Sequence, residues 1–183
     1  MAVVKANYVR RGKVGNAKAK DNVRYIQHRP GRDKEAVMRP LFTSDGPMTR
    51  LEVYQFIDEA PKGTHFYTII VNPDPEQEDT HKDLDMRHIT TTTMQTLEEI
   101  VQTPVIWVAA IHDDHTDKNH VHALAAVNRR LDTPELNHIR EVTTQACREQ
   151  RRELDKTRER NARQRERGEW EPEPQLQEDR WAD

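Results

Sequence analysis

Four of the nine histidines fall inside one run of eleven residues: His112, His115, His120 and His122. Their arrangement matters more than their number. Alternate side chains of a strand share a face, so His120 and His122 point the same way. A hairpin whose register pairs position 112 with position 120 sets His112 opposite His120 and diagonal to His122. The Cβ atoms of the direct pair then lie roughly 4.5–5.5 Å apart. Three imidazoles converging at the end of an apolar hairpin suit a divalent metal and leave coordination positions open for water or substrate. Asp114, two residues past His112, is placed to accept the second ring N–H of a ligand imidazole and fix its tautomer. His115 and Asp117 read first as turn-surface groups. The plainer reading is a polar hairpin tip with solvated histidines. The remaining histidines, His28, His65, His81, His88 and His138, are scattered and form no rival set.

A second feature is basic. Residues 1–50 hold twelve Lys/Arg against four Asp/Glu, although the whole chain carries a net charge of −3. Such an excess fits a polyanion, because neutralised phosphates release counterions. A solvated basic face is the alternative. Together the two features narrow the chemistry to metal-assisted phosphodiester transfer on nucleic acid, or to metal-bound hydroxide acting on a small molecule. Phosphodiester transfer is helped by a side-chain nucleophile. Tyr25 sits between Arg24 and Arg29, cations able to hold phosphate and favour phenolate. Tyr8 alternates within an N-terminal strand and reads as sheet packing. An aromatic on the core-facing side of a helix is the ordinary explanation of Tyr25.

The elements that must position these groups follow from periodicity. Val3–Arg10 predicts a strand, broken by Gly12 and Gly15, and Ala17–Gln27 a short helix stopped by Pro30 and Gly31. Residues 28–48, with Pro30, Pro40, Gly46 and Pro47, predict a loop with at most short structure. Thr49 caps a helix over Arg50–Glu59, with Glu52 completing a capping box. His65–Asn72 is rich in β-branched and aromatic residues and predicts a strand, followed by an acidic loop. Asp83–Gln102 has helical spacing at Leu84, Ile89, Leu97 and Val101, weakened locally by the Thr90–Thr93 run. Val105–His112 and His120–Val127 form a central hairpin, covered on both faces where apolar. A long helix starts at Thr133 and Pro134, and its apolar stripe fades after Leu154. The fold class is α+β, a two-layer arrangement with a central antiparallel sheet bearing the His hairpin, helices packed on it and a long charged C-terminal helix. The domain spans residues 1–155, and residues 156–183 form a charged helical extension and a disordered acidic tail.

Composition excludes several classes. Hydrophobic residues make up 34% and charged residues 33% of 183, and the mean hydropathy is −1.03. The longest apolar run, Val105–Ile111, is too short to span a bilayer. No secretory segment is expected at the N-terminus. One cysteine, Cys147, excludes an intrachain disulfide framework and a cysteine zinc site. Cytoplasm is the expected compartment.

The run from Ala17 to Gly31 (AKAKDNVRYIQHRPG) resembles the nucleophile motif of the HUH-type relaxases, nucleases of plasmid mobilisation and conjugation. The run from His112 to His122, followed by apolar residues and Asn128-Arg129-Arg130, resembles their metal motif. The strand His65–Asn72 with Pro73 resembles the segment between the two. The resemblance covers roughly residues 2–150. It implies a helix carrying the tyrosine across the central sheet. It further implies that Tyr25 attacks one phosphodiester of single-stranded DNA at an origin of transfer, giving a 5′-phosphotyrosyl enzyme and a free 3′-OH, reversibly. By the same resemblance His112, His120 and His122 hold the metal, Mg²⁺ or Mn²⁺ with Zn²⁺ as the alternative, and Asp114 orients one of them. Arg10, Arg11, Lys18, Lys20, Arg24 and Arg29 are the expected DNA contacts. Accessory relaxosome proteins and a type IV secretion coupling protein are the implied partners, in the cytoplasm of a bacterium or archaeon.

The chain departs from the family in two ways. Some relatives carry an acid on the strand matching His65–Asn72, and this one has none, so the general base is unassigned. Many relaxases also continue into large further regions. The rival from another class is an origin-DNA-binding accessory protein, or decayed relaxase, that does not cut. A small-molecule His₃ hydrolase has no use for the basic N-terminal third. Rolling-circle initiators usually place the tyrosine after the histidines, whereas here Tyr25 comes first.

Overall fold

The first strand and the first helix meet at a close approach that only glycine permits. The computed structural model describes residues 2–30, 35–113 and 118–167. Strand β1 (Val3–Arg10) is followed by helix α1 (Lys13–His28), four residues longer at its start than periodicity suggests. Gly12, at φ +154°, is the hinge between them. Gly15, expected between the strand and the helix, lies inside α1. It is buried in the first turn of α1, where a Cβ would lie 1.9 Å from the Arg10 carbonyl oxygen. Glycine here lets the helix fold back against the strand end. Gly15→Ala is therefore expected to destabilise the protein by about 2–4 kcal/mol, read as a lower midpoint of urea unfolding.

The stretch expected as loop contains a small hairpin, β2 (Leu41–Thr43) and β3 (Gly46–Met48). Helix α2 (Arg50–Glu59) begins at the foreseen capping box: Glu52 N donates to Thr49 Oγ1 at 3.3 Å and Thr49 N to Glu52 Oε2 at 2.7 Å. Strand β4 (His65–Asn72) has the expected bounds. Helix α3 (Met86–Val101) starts later than expected, because the Asp85 carboxylate accepts from Arg87 N and His88 N and ends the preceding loop. Its threonine run is tolerated because Thr90 and Thr93 donate to the carbonyls of Met86 and Ile89. Thr93 also meets Thr143 at 3.0 Å. Strands β5 (Ile106–His112) and β6 (His120–Val127) precede helix α4 (Thr133–Glu166).

The six strands form one antiparallel sheet in the order β1-β4-β6-β5-β2-β3. The His hairpin β5–β6 thus lies in the middle. Strand alternation sorts the side chains. On one face Phe66, Val108, Ala110 and Leu124 pack with Ala19, Val23 and Ile26 of α1 and Val53 and Ile57 of α2. On the other, Phe42 meets Trp107, Arg87 of α3 lies over the Phe42 ring, and Leu131 N donates to Tyr67 Oη at 2.8 Å. The α+β class stands, but helices cover both faces, one layer more than a two-layer arrangement. The first part of α4 buries Ile139, Thr143, Cys147 and Arg151, spaced four apart, and Arg151 pairs with Asp83 at 2.5 Å.

The chain divides into two compact units, Met1–Arg151 and Arg152–Asp183. The sheet lies wholly in the first. The second contains the charged end of α4, with pairs such as Lys156–Glu153 at 2.7 Å. Among the described residues no helix is long and apolar enough to cross a membrane. The expected disordered tail, residues 169–183, lies outside the described residues.

Candidate metal centre and nucleophile

His112 ends β5 and His120 begins β6, and the two are paired in register. His122 follows two residues along, so all three side chains leave the α1 face of the sheet. Their ring centroids lie 5.3 Å (112 to 120), 4.6 Å (112 to 122) and 5.2 Å (120 to 122) apart. One nitrogen from each lies within 4.8 Å of the others. The rings are 0%, 8% and 6% exposed, respectively. This buried cluster can bind a metal ion, and bonds of about 2.1 Å to one ion draw the nitrogens closer together.

Backbone carbonyls set the tautomers of two rings. His112 Nε2 lies 2.8 Å from the Ile26 carbonyl and His120 Nδ1 lies 3.2 Å from the Lys118 carbonyl. A carbonyl only accepts, so each of these nitrogens carries the proton and the other nitrogen of the ring holds a lone pair for a metal. The Ile26 carbonyl is available for a sequence reason. Four residues on, where a helix would supply the next N–H donor, stands Pro30, which has none. The last turn of α1 is instead closed by Arg29 N on the Tyr25 carbonyl, Arg39 N on the Gln27 carbonyl, and His112 on Ile26.

Burial, the nearby imidazole of His122 and the Arg39 guanidinium push the His112 pKa down to about 3; the Ile26 bond opposes them. The ring is thus neutral and ligand-ready near neutral pH. The unfolded chain, titrating near the ordinary 6.5, binds the proton that the fold rejects. Stability from this group is complete above that value and is lost as pH falls toward about 3. Metal-free protein is expected to lose roughly tenfold in its folding equilibrium per pH unit within that window from this group alone. Thermal unfolding against pH, with His112→Asn as the flatter comparison, checks this.

Tyr25 projects from the last turn of α1 onto the cluster. Its ring meets His122 edge-on at 5.9 Å, and Arg29 lies over it at 5.5 Å. It is 45% exposed. The other three tyrosines sit elsewhere. Tyr8 and Tyr67 are cross-strand partners on the opposite face of the sheet, 5.2 Å apart. Tyr54 on α2 donates to the Lys20 carbonyl at 3.4 Å. Cys147 is no alternative nucleophile, since burial pushes its thiol up to about 12.

The six expected DNA-binding cations divide. Lys18, Tyr25 and Arg29 fall on one stripe of α1 with Asn22, whose amide bonds to Thr68 on β4. Lys20 turns toward α2 and pairs with Asp58 at 2.6 Å. Arg24 pairs with Asp21, and Arg11 donates to the Asp58 carbonyl at 3.2 Å. Arg10 lies on the Tyr8 side of the sheet. Asp114 lies outside the described residues. Three residues on the histidine side were not foreseen. Lys5 is exposed beside Ile70, the cross-strand neighbour of His122. Arg39 is buried and bonds the Arg29 carbonyl at 2.8 Å. Asn72 ends β4. Strand alternation could have revealed Lys5; Arg39 is placed by tertiary contacts that no local pattern encodes. Comparison with family models, with curated proteins and with solved structures gives no match.

Proposed function

We propose that the protein is a DNA relaxase. It nicks and rejoins single-stranded DNA at an origin of transfer, in plasmid mobilisation, through a 5′-phosphotyrosyl intermediate on Tyr25. The observation that carries this reading is the meeting of an exposed tyrosine with a buried three-histidine cluster. His112, His120 and His122 would hold a divalent ion, Mg²⁺ or Mn²⁺, which when bound supplies Lewis-acid stabilisation at a phosphoryl oxygen.

The chain's own groups do the rest. Arg29 beside the Tyr25 ring places positive charge where the transferred phosphoryl group gains negative charge. Lys18, Arg29 and Lys5 offer positive charge to the DNA backbone on the same side. The Tyr25 oxygen bonds to the scissile phosphorus as the bond to the 3′ oxygen breaks. The phenol proton passes to solvent and the departing oxygen takes up a proton. Attack by the 3′-hydroxyl reverses the step, so rejoining needs no outside energy source. The single-stranded partner fits an open site, and relaxosome proteins and a secretion coupling protein are the partners in this role.

The test uses single-stranded oligonucleotides of origin or randomised sequence with Mg²⁺ or Mn²⁺. A label at the 3′ end is expected to become covalently attached to the protein on a denaturing gel, while a 5′ label is released on a shorter fragment. DNA bound without any adduct under either metal replaces this reading with the non-cleaving accessory protein.

A further inference from the structure

We propose that Asn72 is a fourth metal ligand, its side-chain oxygen Oδ1 joining the nitrogens of His112, His120 and His122. This rests on reading the three histidines as a metal site. In the β4–β6 pairing Ile70 stands opposite His122 and Val71 opposite Val121. One residue further, Asn72 comes abreast of His120. The two-residue period of the strand sets it with Thr68 and Ile70 on the histidine face. Side chains so paired have Cβ atoms roughly 4.5–5.5 Å apart.

The Asn72 oxygen is buried and has no hydrogen-bond partner among the described residues. A buried amide oxygen without a donor is unfavourable, and native proteins rarely leave one without a reason. Its neighbour along this face, Ile70, offers no donor. A divalent cation satisfies the oxygen directly, and amide oxygens are ordinary ligands of hard ions. Three imidazoles alone suit tetrahedral Zn²⁺ with one open position. An added oxygen shifts preference toward ions that take more ligands and favour oxygen, such as Mn²⁺. A neutral amide also leaves the ion's charge undiminished, unlike a carboxylate on this strand.

The test titrates MnCl₂, and separately ZnCl₂, into the full chain and into Asn72→Ala and Asn72→Asp by calorimetry. Asn72→Ala is expected to lose about 10–100-fold in Mn²⁺ affinity with Zn²⁺ affinity nearly unchanged, and Asn72→Asp to bind Mn²⁺ more tightly. Without metal, Asn72→Ala is expected to unfold at the wild-type temperature or above it, since no hydrogen bond is lost. Unchanged Mn²⁺ affinity in Asn72→Ala overturns the proposal, as does a clear loss of metal-free stability, which marks a structural role. An equal loss for both ions overturns the stated selectivity. A folded wild type that binds neither ion removes the metal reading itself and this inference with it. Binding by wild type and Asn72→Ala alike removes only the inference.

Discussion

Tyr25→Phe is expected to abolish covalent attachment to single-stranded DNA while leaving the fold, metal binding and DNA binding close to wild type. The change removes one oxygen from a ring that keeps its bulk and its edge contact with His122, so packing is preserved. Loss of a nucleophile lowers turnover by roughly four orders of magnitude or more. Tyr8→Phe is expected to keep full activity, because Tyr8 lies across the sheet from the histidines. Tyr67→Phe is expected to keep the chemistry but lose stability, since its oxygen accepts from Leu131 N. Denaturing gels and thermal unfolding of the three variants separate these outcomes. An adduct that persists in Tyr25→Phe and vanishes in Tyr8→Phe would move the chemistry to the first strand.

The second large effect divides the histidines. His122→Ala and His120→Ala are expected to lower metal affinity at least about 100-fold, since each removes a direct ligand. His112→Ala is expected to do the same and to destabilise the metal-free protein by about 1–3 kcal/mol besides. The extra cost comes from the Ile26 carbonyl, which loses its donor where Pro30 offers none. His122→Ala takes no donor from the Ile26 carbonyl and serves as the comparison. Calorimetry with Mn²⁺ and urea titrations of metal-free protein measure the two effects separately. Equal loss of stability in His112→Ala and His122→Ala would show that the Ile26 bond contributes nothing particular.

Most of the site was legible because its geometry is local. A hairpin register and a two-residue period suffice to bring His112, His120 and His122 together, and the register found pairs His112 with His120, the condition on which that convergence depends. Strand β4 and helix α2 were bounded correctly because turn residues and a capping box mark their ends chemically. The start of α1 is missed because a glycine that ends a strand and one that lets a helix approach it look alike without the partner surface. The β2–β3 hairpin is too short for periodicity to reveal, and Phe42 gains its place only beside Ala109. The cations show the same limit. Charge counts weigh Lys18 and Lys20 alike, but only the structure separates one on the Tyr25 stripe from one facing Asp58. Asn72 drew no notice because its identity is unremarkable until the strand beside it is known.

The strand order has a consequence for how this protein assembles its histidine cluster. The β1–β4 pair and the β2–β3 pair are made from earlier chain and share no ladder with each other. Among the described residues only the β5–β6 hairpin joins them, entering between β4 and β2 as the last strands in chain order. A nascent chain therefore carries Tyr25 long before it has any of the three clustered imidazoles, His112, His120 and His122. Closure of the sheet and assembly of the centre become the same late event, governed by pairings between residues far apart in sequence, which form slowly. The hairpin is a keystone in both senses, so no shortened version that omits it keeps either a continuous sheet or a centre.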